Sequence, residues 1–262
     1  MNNTKVSVLV SNFNKESYIE ECINSCLMQD YDNLEIIVID NKSTDNSLKI
    51  LKKFSKNIKI EVKDKISLIG AENQIDLLTY AFRISSGDLI CLLDSDDYFM
   101  PKKIKTIEKV FAKDDKLKVL FDIPRLYKNS KIKALKVKKR FSKYIWPTTI
   151  PTSGISLRRN FFDECLKISL FKNFPNVEID FKLTSFSQKI DKNYYILDDY
   201  LTFYREVQDG IMANTKKFSK QWWLKRVQAH HFMQSIYKKN NMDYKKNYDY
   251  FLSKLVVRFL ER

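Results

Sequence analysis

The chain contains no apolar run approaching the roughly 18 residues that a membrane-crossing helix needs, so its 262 residues hold no spanning segment of that kind. Its four cysteines, Cys22, Cys26, Cys91 and Cys165, form no Cys-x-x-Cys pair, and none has a histidine close by. This argues against a zinc site or a disulfide framework and predicts buried free thiols. The polar start Met1-Asn2-Asn3-Thr4 lacks the pattern of a secretory signal, so the expectation is a cytoplasmic protein. Neither an internal repeat nor a low-complexity linker is present, and no RRM, KH or helix-turn-helix signature points to nucleic acid. A chain of this length can bury one sizeable core, as a single large domain or as a domain with an appendage.

What the chain does have is positive charge, unevenly placed. The formal net charge is +15, yet residues 1–110 carry 15 Lys and Arg against 17 Asp and Glu, leaving 32 against 15 for the rest. A basic second half suits nucleic acid, an anionic membrane surface or phosphate-bearing substrates; a solvated Lys-rich surface is the plain alternative.

Residues 1–121 alternate between strand and helix patterns. Val6 to Val10, Leu34 to Ile39 and Ile58 to Val62 read as strands, as do the run after Gly87 and Leu117 to Phe121. Ser17-x-x-Glu20 suggests a capping box, followed by Ile19, Cys22, Ile23, Cys26 and Leu27 on one helical stripe. Further helices are predicted from Asp45, over about 71–85, and after Pro101. The alternation predicts an α/β, Rossmann-like, mostly parallel sheet flanked by helices. From 122 the pattern loosens: helices over about 158–170 and 178–188, strands at Tyr194 to Leu197 and Leu201 to Tyr204, and a helical extension over 216–262. Phe251, Leu252, Leu255, Val256 and Phe259 share one stripe of that extension. Residues 122–215 are expected to complete the same globule as 1–121.

The most informative stretch is Gly87-Asp88-Leu89-Ile90-Cys91-Leu92-Leu93-Asp94-Ser95-Asp96-Asp97. It reads as a buried central strand delivering three acids at its carboxyl end, where ligands of open α/β sheets gather. Residues two apart on extended backbone share a face, so Asp94 and Asp96 can converge on one divalent ion and the diphosphate it carries. The same residues suit a solvated strand-to-loop turn. Strand one runs into Ser11-Asn12-Phe13-Asn14 and strand two into Asp40-Asn41-Lys42-Ser43-Thr44-Asp45. Three polar loops at one sheet edge can form one pocket, with Phe13 stacking on a nucleobase and Asp40 or Asn41 accepting from a base N–H. Taken singly, Phe13 also suits the core, and Ser43 to Asp45 also suit a helix cap.

In order and spacing over about the first 110 residues, these three segments resemble the family 2 glycosyltransferases of the GT-A fold. The resemblance implies an inverting transferase that uses a nucleotide-diphosphate sugar, a UDP-sugar being favoured, together with Mn²⁺ or Mg²⁺. It places Ser11 and Phe13 in the loop around the base, and Asp40-Asn41 where the family often has two aspartates. Asp94, Ser95 and Asp96 stand in the DxD motif, Asp94 toward ribose or metal and Asp96 as metal ligand. The segment Gly70-Ala71-Glu72-Asn73-Gln74 departs from the family pattern on the sugar side. Glu178-Ile179-Asp180-Phe181-Lys182-Leu183 resembles the segment that supplies the catalytic base, with Asp180 the first choice and Glu178 the second. A helix N-terminus decorated with acids accounts for the same residues. Tyr204-Arg205 resembles a late element near the diphosphate, where Arg205 stabilises the leaving group or forms a structural ion pair.

The basic, aromatic-rich second half suits a glycan or lipid-linked acceptor, with peripheral contact to an anionic membrane at its inner face and Trp222-Trp223 as an interfacial pair. Capsule, lipooligosaccharide or other cell-envelope glycan assembly in a bacterium is the setting this implies. No nucleic-acid partner is expected. A nucleotidyltransferase, or a non-catalytic protein binding sugar nucleotides or nucleic acid, remains the alternative.

Overall fold

The computed structural model describes residues 4–128, 131–134, 146–168, 173–207, 210 and 215–261. Strands β1 (Val6–Asn12), β2 (Leu34–Asp40), β3 (Lys59–Val62) and β4 (Leu89–Asp94) are parallel neighbours in the order β3-β2-β1-β4. β5 (Tyr98–Phe99) leaves this sheet, β6 (Val119–Asp122) rejoins it, and β9 (Ile155–Arg158) lies between β4 and β6, antiparallel to both. β10 (Tyr194–Leu197) adds to β6 in parallel and completes seven strands. A second sheet joins β5, β11 (Thr202–Arg205), β7 (Arg125–Lys128) and β8 (Lys131–Ala134) in that order.

The interleaved β9 was not expected from sequence. Its four residues follow the proline-marked stretch from 146 to 154, and a strand this short has too few alternations to show a period. Its place beside β4 separates the first parallel block from β6. Gly87 makes the start of β4 possible: a Cβ there would meet the Ser7 Oγ at 2.5 Å and the Ser7 backbone nitrogen at 2.6 Å.

Both faces of the large sheet are buried, as the apolar runs require. On one face Leu9, Ile37, Ile90 and Leu92 join α3 (Gly70–Ile84), α5 (Arg159–Lys167), α6 (Ile179–Ser185) and α7 (Lys220–Lys239). On the other, Val8, Val10, Val38 and Leu93 join α1 (Ile19–Leu27) and α4 (Lys103–Lys113). Successive residues of β1 and β4 alternate between the two clusters, the period-2 signature of a strand covered on both sides.

Local details differ from expectation. α1 starts at Ile19 and makes no side-chain cap, so the Ser17–Glu20 capping box does not form. α2 (Ser47–Lys52) also lacks a side-chain cap hydrogen bond at its N-cap residue. All four cysteines are free and buried. The Trp222–Trp223 pair is half-buried, the rings 4.7 Å apart and Phe218 5.3 Å from Trp222. Among the described residues no helix is long and apolar enough to cross a membrane.

One buried ion pair fixes the junction of the two sheets. Lys103 is fully enclosed and its Nζ donates to Asp122 Oδ1 at 2.7 Å, the Ser153 carbonyl at 2.7 Å and Thr202 Oγ1 at 2.6 Å. Each of the ammonium's three protons thus has an acceptor, which is the condition under which a buried charge is tolerated.

Candidate active site

The carboxyl ends of β1, β2 and β4 lie side by side because the three strands pair in register, Asn12 opposite Asp40 and Ser11 opposite Asp94. The loops after β1 and β2 are stitched together. Ser43 Oγ accepts from the Asn14 N–H at 3.0 Å, the Thr44 N–H donates to Asn14 Oδ1 at 2.8 Å, and Asp45 accepts from the Glu16 N–H at 2.9 Å. Asn14 and Lys42 take left-handed backbone conformations, with φ of 50° and 56°. After glycine such a conformation is least costly for asparagine and aspartate, which suits Asn14. Ser43 to Asp45 are therefore the rivets between two loops, and not primarily a helix cap.

Asp40 belongs to this framework. It is fully buried; its Oδ1 accepts from the Ser43 N–H at 2.8 Å, and its Oδ2 accepts from Asn12 Nδ2 and Ser43 Oγ, each at 2.7 Å. With both oxygens engaged inside the loop, it is placed as a brace and not as an acceptor for a base. Asn41 is buried and donates one amide N–H to the Lys63 carbonyl at 3.1 Å, leaving its second N–H and its acceptor oxygen. Phe13 is half-buried, and the Lys65 ammonium sits 3.5 Å from its ring centroid.

Asp94 to Asp97 form a turn closed by the Asp97 N–H donating to the Asp94 carbonyl at 2.9 Å. The expected convergence of Asp94 and Asp96 through an extended backbone is thus corrected: β4 ends at Asp94, and the turn brings the acids together. Ser95 is buried within it. Asp94 Oδ1 accepts from Gln74 Nε2 at 2.6 Å and Ser11 Oγ at 3.3 Å. Burial first, and then the charge of Asp96, push its carboxyl up to about 7. Lys15 partly neutralises Asp96, with Nζ 3.3 Å from Oδ2. Asp97 is a pin behind the turn. It accepts from Ser153 Oγ at 2.5 Å and from the Arg205 N–H at 2.8 Å, and burial together with Asp96 and Asp94 holds its carboxyl well above the ordinary range.

Arg205 is buried on β11. Its guanidinium donates to the Asp96 carbonyl at 2.9 Å, pairs with Glu21 and lies 4.7 Å from the Tyr98 ring centroid. These contacts make it a clamp on the acid turn. Neighbouring Tyr204 reports how the acids are disposed: burial and then Asp97, Asp94, Asp180 and Asp96 push its phenol upward.

Asp180 arrives from α6, whose first turn faces the same cleft. Burial, followed by the charge of Glu178, pushes its carboxyl up to about 7; Lys225 and the Phe181 N–H, which donates to Oδ1 at 2.6 Å, oppose the shift, and Asp94 adds to it. Glu178 is buried and ion-paired with Lys225 of α7. The two candidate bases are thereby distinguished: Glu178 is held by a cation, and among the described residues Asp180 has no side-chain ion pair of comparable closeness.

Among the described residues no three His, Cys, Asp or Glu side chains are grouped to hold an ion. Asp94 and Asp96 offer two hard carboxylate donors. That set fits Mg²⁺ or Mn²⁺, which commonly take one or two protein carboxylates and complete their shell with water and substrate phosphates. It does not fit zinc, whose closed sites need four protein ligands.

Sequence reasoning missed Gln74, Ser153, Lys15 and Lys225. A signal existed for Gln74: Asn73 and Gln74 sit at the N-terminal end of the buried stripe of α3, and a core-facing stripe turning polar at one end marks a site. The others act across 56 or more residues, or through a bridge between helices, with no local pattern.

The family model described as "Glycosyl transferase family 2" matches residues 7–174. An uncharacterized glycosyltransferase of Nostoc is 29% identical over 181 residues, covering 64% of this chain and 55% of its own length. One from Haemophilus influenzae is 40% identical over 113 residues, 42% of this chain and 33% of that protein. The chain thus spans about half or less of the length of these relatives. Among solved structures, Staphylococcus aureus TarS in complex with UDP-GlcNAc superposes with a TM-score of 0.66 at 16% identity, over 98% of this chain and 71% of that one. A mannosyltransferase of Pyrobaculum calidifontis in complex with GDP-Man and Mn²⁺ gives 0.57 at 18% identity, over 98% and 70%. The structural likeness establishes the shared α/β fold, and the match over residues 7–174, from β1 through α5, makes this chain a member of glycosyl transferase family 2.

Proposed function

We propose that the chain transfers a sugar from a nucleoside-diphosphate donor to a hydroxyl of a cell-envelope glycan or lipid-linked acceptor, by one displacement that inverts the anomeric carbon. The observation that carries this is the side-by-side placing of Ser11, Asp40 and Asp94 at the carboxyl ends of β1, β2 and β4, with Asp180 near enough for the charge of Asp94 to act on it. Support also comes from the neighbours, which were solved with UDP-GlcNAc and with GDP-Man and Mn²⁺.

Phe13 and Lys65 frame the base, and the Asn41 amide oxygen accepts from its N–H. An acceptor oxygen there suits the N3–H of uracil, so a UDP-sugar is the favoured donor. Asp94 and Asp96 would hold Mn²⁺ or Mg²⁺, and Gln74 and Ser11 orient Asp94 for that role. A bound divalent ion supplies Lewis-acid stabilisation of the departing diphosphate. Arg205 and Asp97 keep the turn rigid, so that little reorganisation is needed when charge develops. Asp180 removes the acceptor proton; a carboxyl near 7 matches a general base at neutral pH. Glu178 and Lys225 tune it.

The test is a thermal-shift screen of UDP-, GDP-, CMP- and dTDP-sugars with and without Mn²⁺, followed by detection of released nucleoside diphosphate. A stabilising, Mn²⁺-dependent shift by one donor class, with nucleoside diphosphate as product, is expected. No shift with any donor, or pyrophosphate as the product, would overturn the proposal.

A further inference from the structure

α8 (Tyr248–Leu260) has two apolar faces, of which one is buried among the described residues. Tyr250, Ser253 and Val257 are buried, recurring at helical spacing toward α7. The helix is fixed in this orientation by Asp249, whose Oδ1 lies 2.6 Å from Arg226 Nη2 and whose Oδ2 lies 2.9 Å from His230 Nε2. Tyr248, Phe251, Leu252, Leu255 and Phe259 also recur at helical spacing, and each is 52% to 94% exposed. At about 100° per residue their mean direction is nearly opposite that of the buried set. The stripe legible in the sequence is therefore the outer face of the helix, and the face that holds α8 in place is the less apolar one.

Exposed basic side chains flank this face, and the acids nearby are Asp249 on the helix, Asp243 before it and Glu261 after it. Lys254 and Arg258 follow the stripe along one flank, and Lys245 and Lys246 lie in the segment leading into the helix. Asp249 is engaged by α7 and thus turned from the stripe. The residues after 110 hold 32 basic against 15 acidic side chains, so the field around α8 belongs to a strongly positive half of the chain. An aromatic and aliphatic stripe of five residues, bordered by cations and lying along one side of a helix, is the pattern of an element that lies in the plane of a bilayer. Its complement is a surface that is apolar below and anionic above.

We propose that the outward face of α8 docks on the surface of an anionic phospholipid bilayer, Phe251, Leu252, Leu255 and Phe259 entering the headgroup–acyl boundary while Lys254 and Arg258 meet lipid phosphates. None of the residues of this face is among those assigned to donor binding, so docking and donor binding are tested by separate variants. Through Arg226 and His230 it is mechanically continuous with α7, whose Lys225 pairs with Glu178 at the start of α6 beside the proposed base. A chain held this way presents its cleft to acceptors confined to the same surface.

The experiment is co-sedimentation of the full chain with phosphatidylcholine vesicles, with and without phosphatidylglycerol, at low and high salt. The variants are Phe251→Ser/Leu255→Ser/Phe259→Ser and Lys254→Glu/Arg258→Glu. Each is followed by circular dichroism, donor thermal shift and light scattering. The expected result is binding to phosphatidylglycerol vesicles that weakens with salt, and a drop in partitioning of at least about tenfold in either variant, with fold and donor shift unchanged. Absence of binding to phosphatidylglycerol vesicles, or wild-type binding by the triple serine variant, would overturn it. So would a wild-type dimer that the triple variant converts to monomer, which would assign the face to a second copy. Because donor shift is read in the same samples, loss of docking is distinguishable from failure of the transferase proposal.

Discussion

Replacing Glu178 by Gln separates the two acids at the start of α6. In the wild-type chain Asp180 stands at about 7 because burial and the charge of Glu178 raise it against the pull of Lys225. The substitution removes the negative neighbour and frees the Lys225 ammonium from its carboxylate partner. Both changes favour ionised Asp180. For a unit charge about 7 Å away, the reach of two residues, Coulomb's law at an effective dielectric constant of ~20 gives about 2 kcal/mol. Solvent screening reduces this to about 1.4 kcal/mol, or one pKa unit. The acid limb of kcat/KM for nucleoside diphosphate release is therefore expected to move from about 7 to about 6, with the plateau retained. At pH 6 the rate relative to plateau then rises about fivefold. Asp180→Asn, in contrast, is expected to lower the plateau by about 10² to 10⁴. An unmoved limb in Glu178→Gln would refute the electrostatic argument. A collapsed plateau in Glu178→Gln beside a mild Asp180→Asn would transfer the base role to Glu178.

Asp96→Ala is expected to abolish the Mn²⁺-dependent part of nucleoside diphosphate binding measured by calorimetry; unchanged affinity with and without a chelator would contradict its role as a metal ligand. Asp180→Asn should also reveal a stability cost. The folded chain holds the Asp180 proton up to about 7 whereas the unfolded chain releases it near ~3.9. Stability is therefore lost as pH rises through this window, and the penalty is full above it. About three pKa units are worth at most about 4 kcal/mol, so the variant should melt higher than wild type by several °C, up to about 10, at pH 8 and should melt together with wild type near pH 4; a difference of the same size at both pH values would count against this. Lys103→Met leaves the Asp122 carboxylate enclosed without its cation, which should cost about 3–5 kcal/mol in denaturant unfolding. A loss below about 1 kcal/mol would mean that Asp122 is not charged there.

The α/β alternation, the strands β1, β2 and β4 and the loops after them were legible because each depends on local pattern: apolar runs bounded by polar clusters, and helical stripes such as Ile19, Cys22, Ile23 and Cys26. The chemical types at the cleft were legible for the same reason, since Asp94, Asp96 and Asp180 lie in recognisable short segments. What each side chain does there depended on partners remote in sequence. Asp40 looked like a ligand contact and became a loop brace because Asn12 and Ser43 reach it first. Arg205 was open to a leaving-group contact or a structural ion pair, and its guanidinium pairs with Glu21 and donates to the Asp96 carbonyl. Local order thus determined which groups meet at the sheet edge. Only the packing of distant elements decided which acids are desolvated, which are neutralised by Lys15 or Lys225, and which stripe of α8 faces outward. Burial and charge pairing arise from contacts across the fold, and no period within the sequence encodes them.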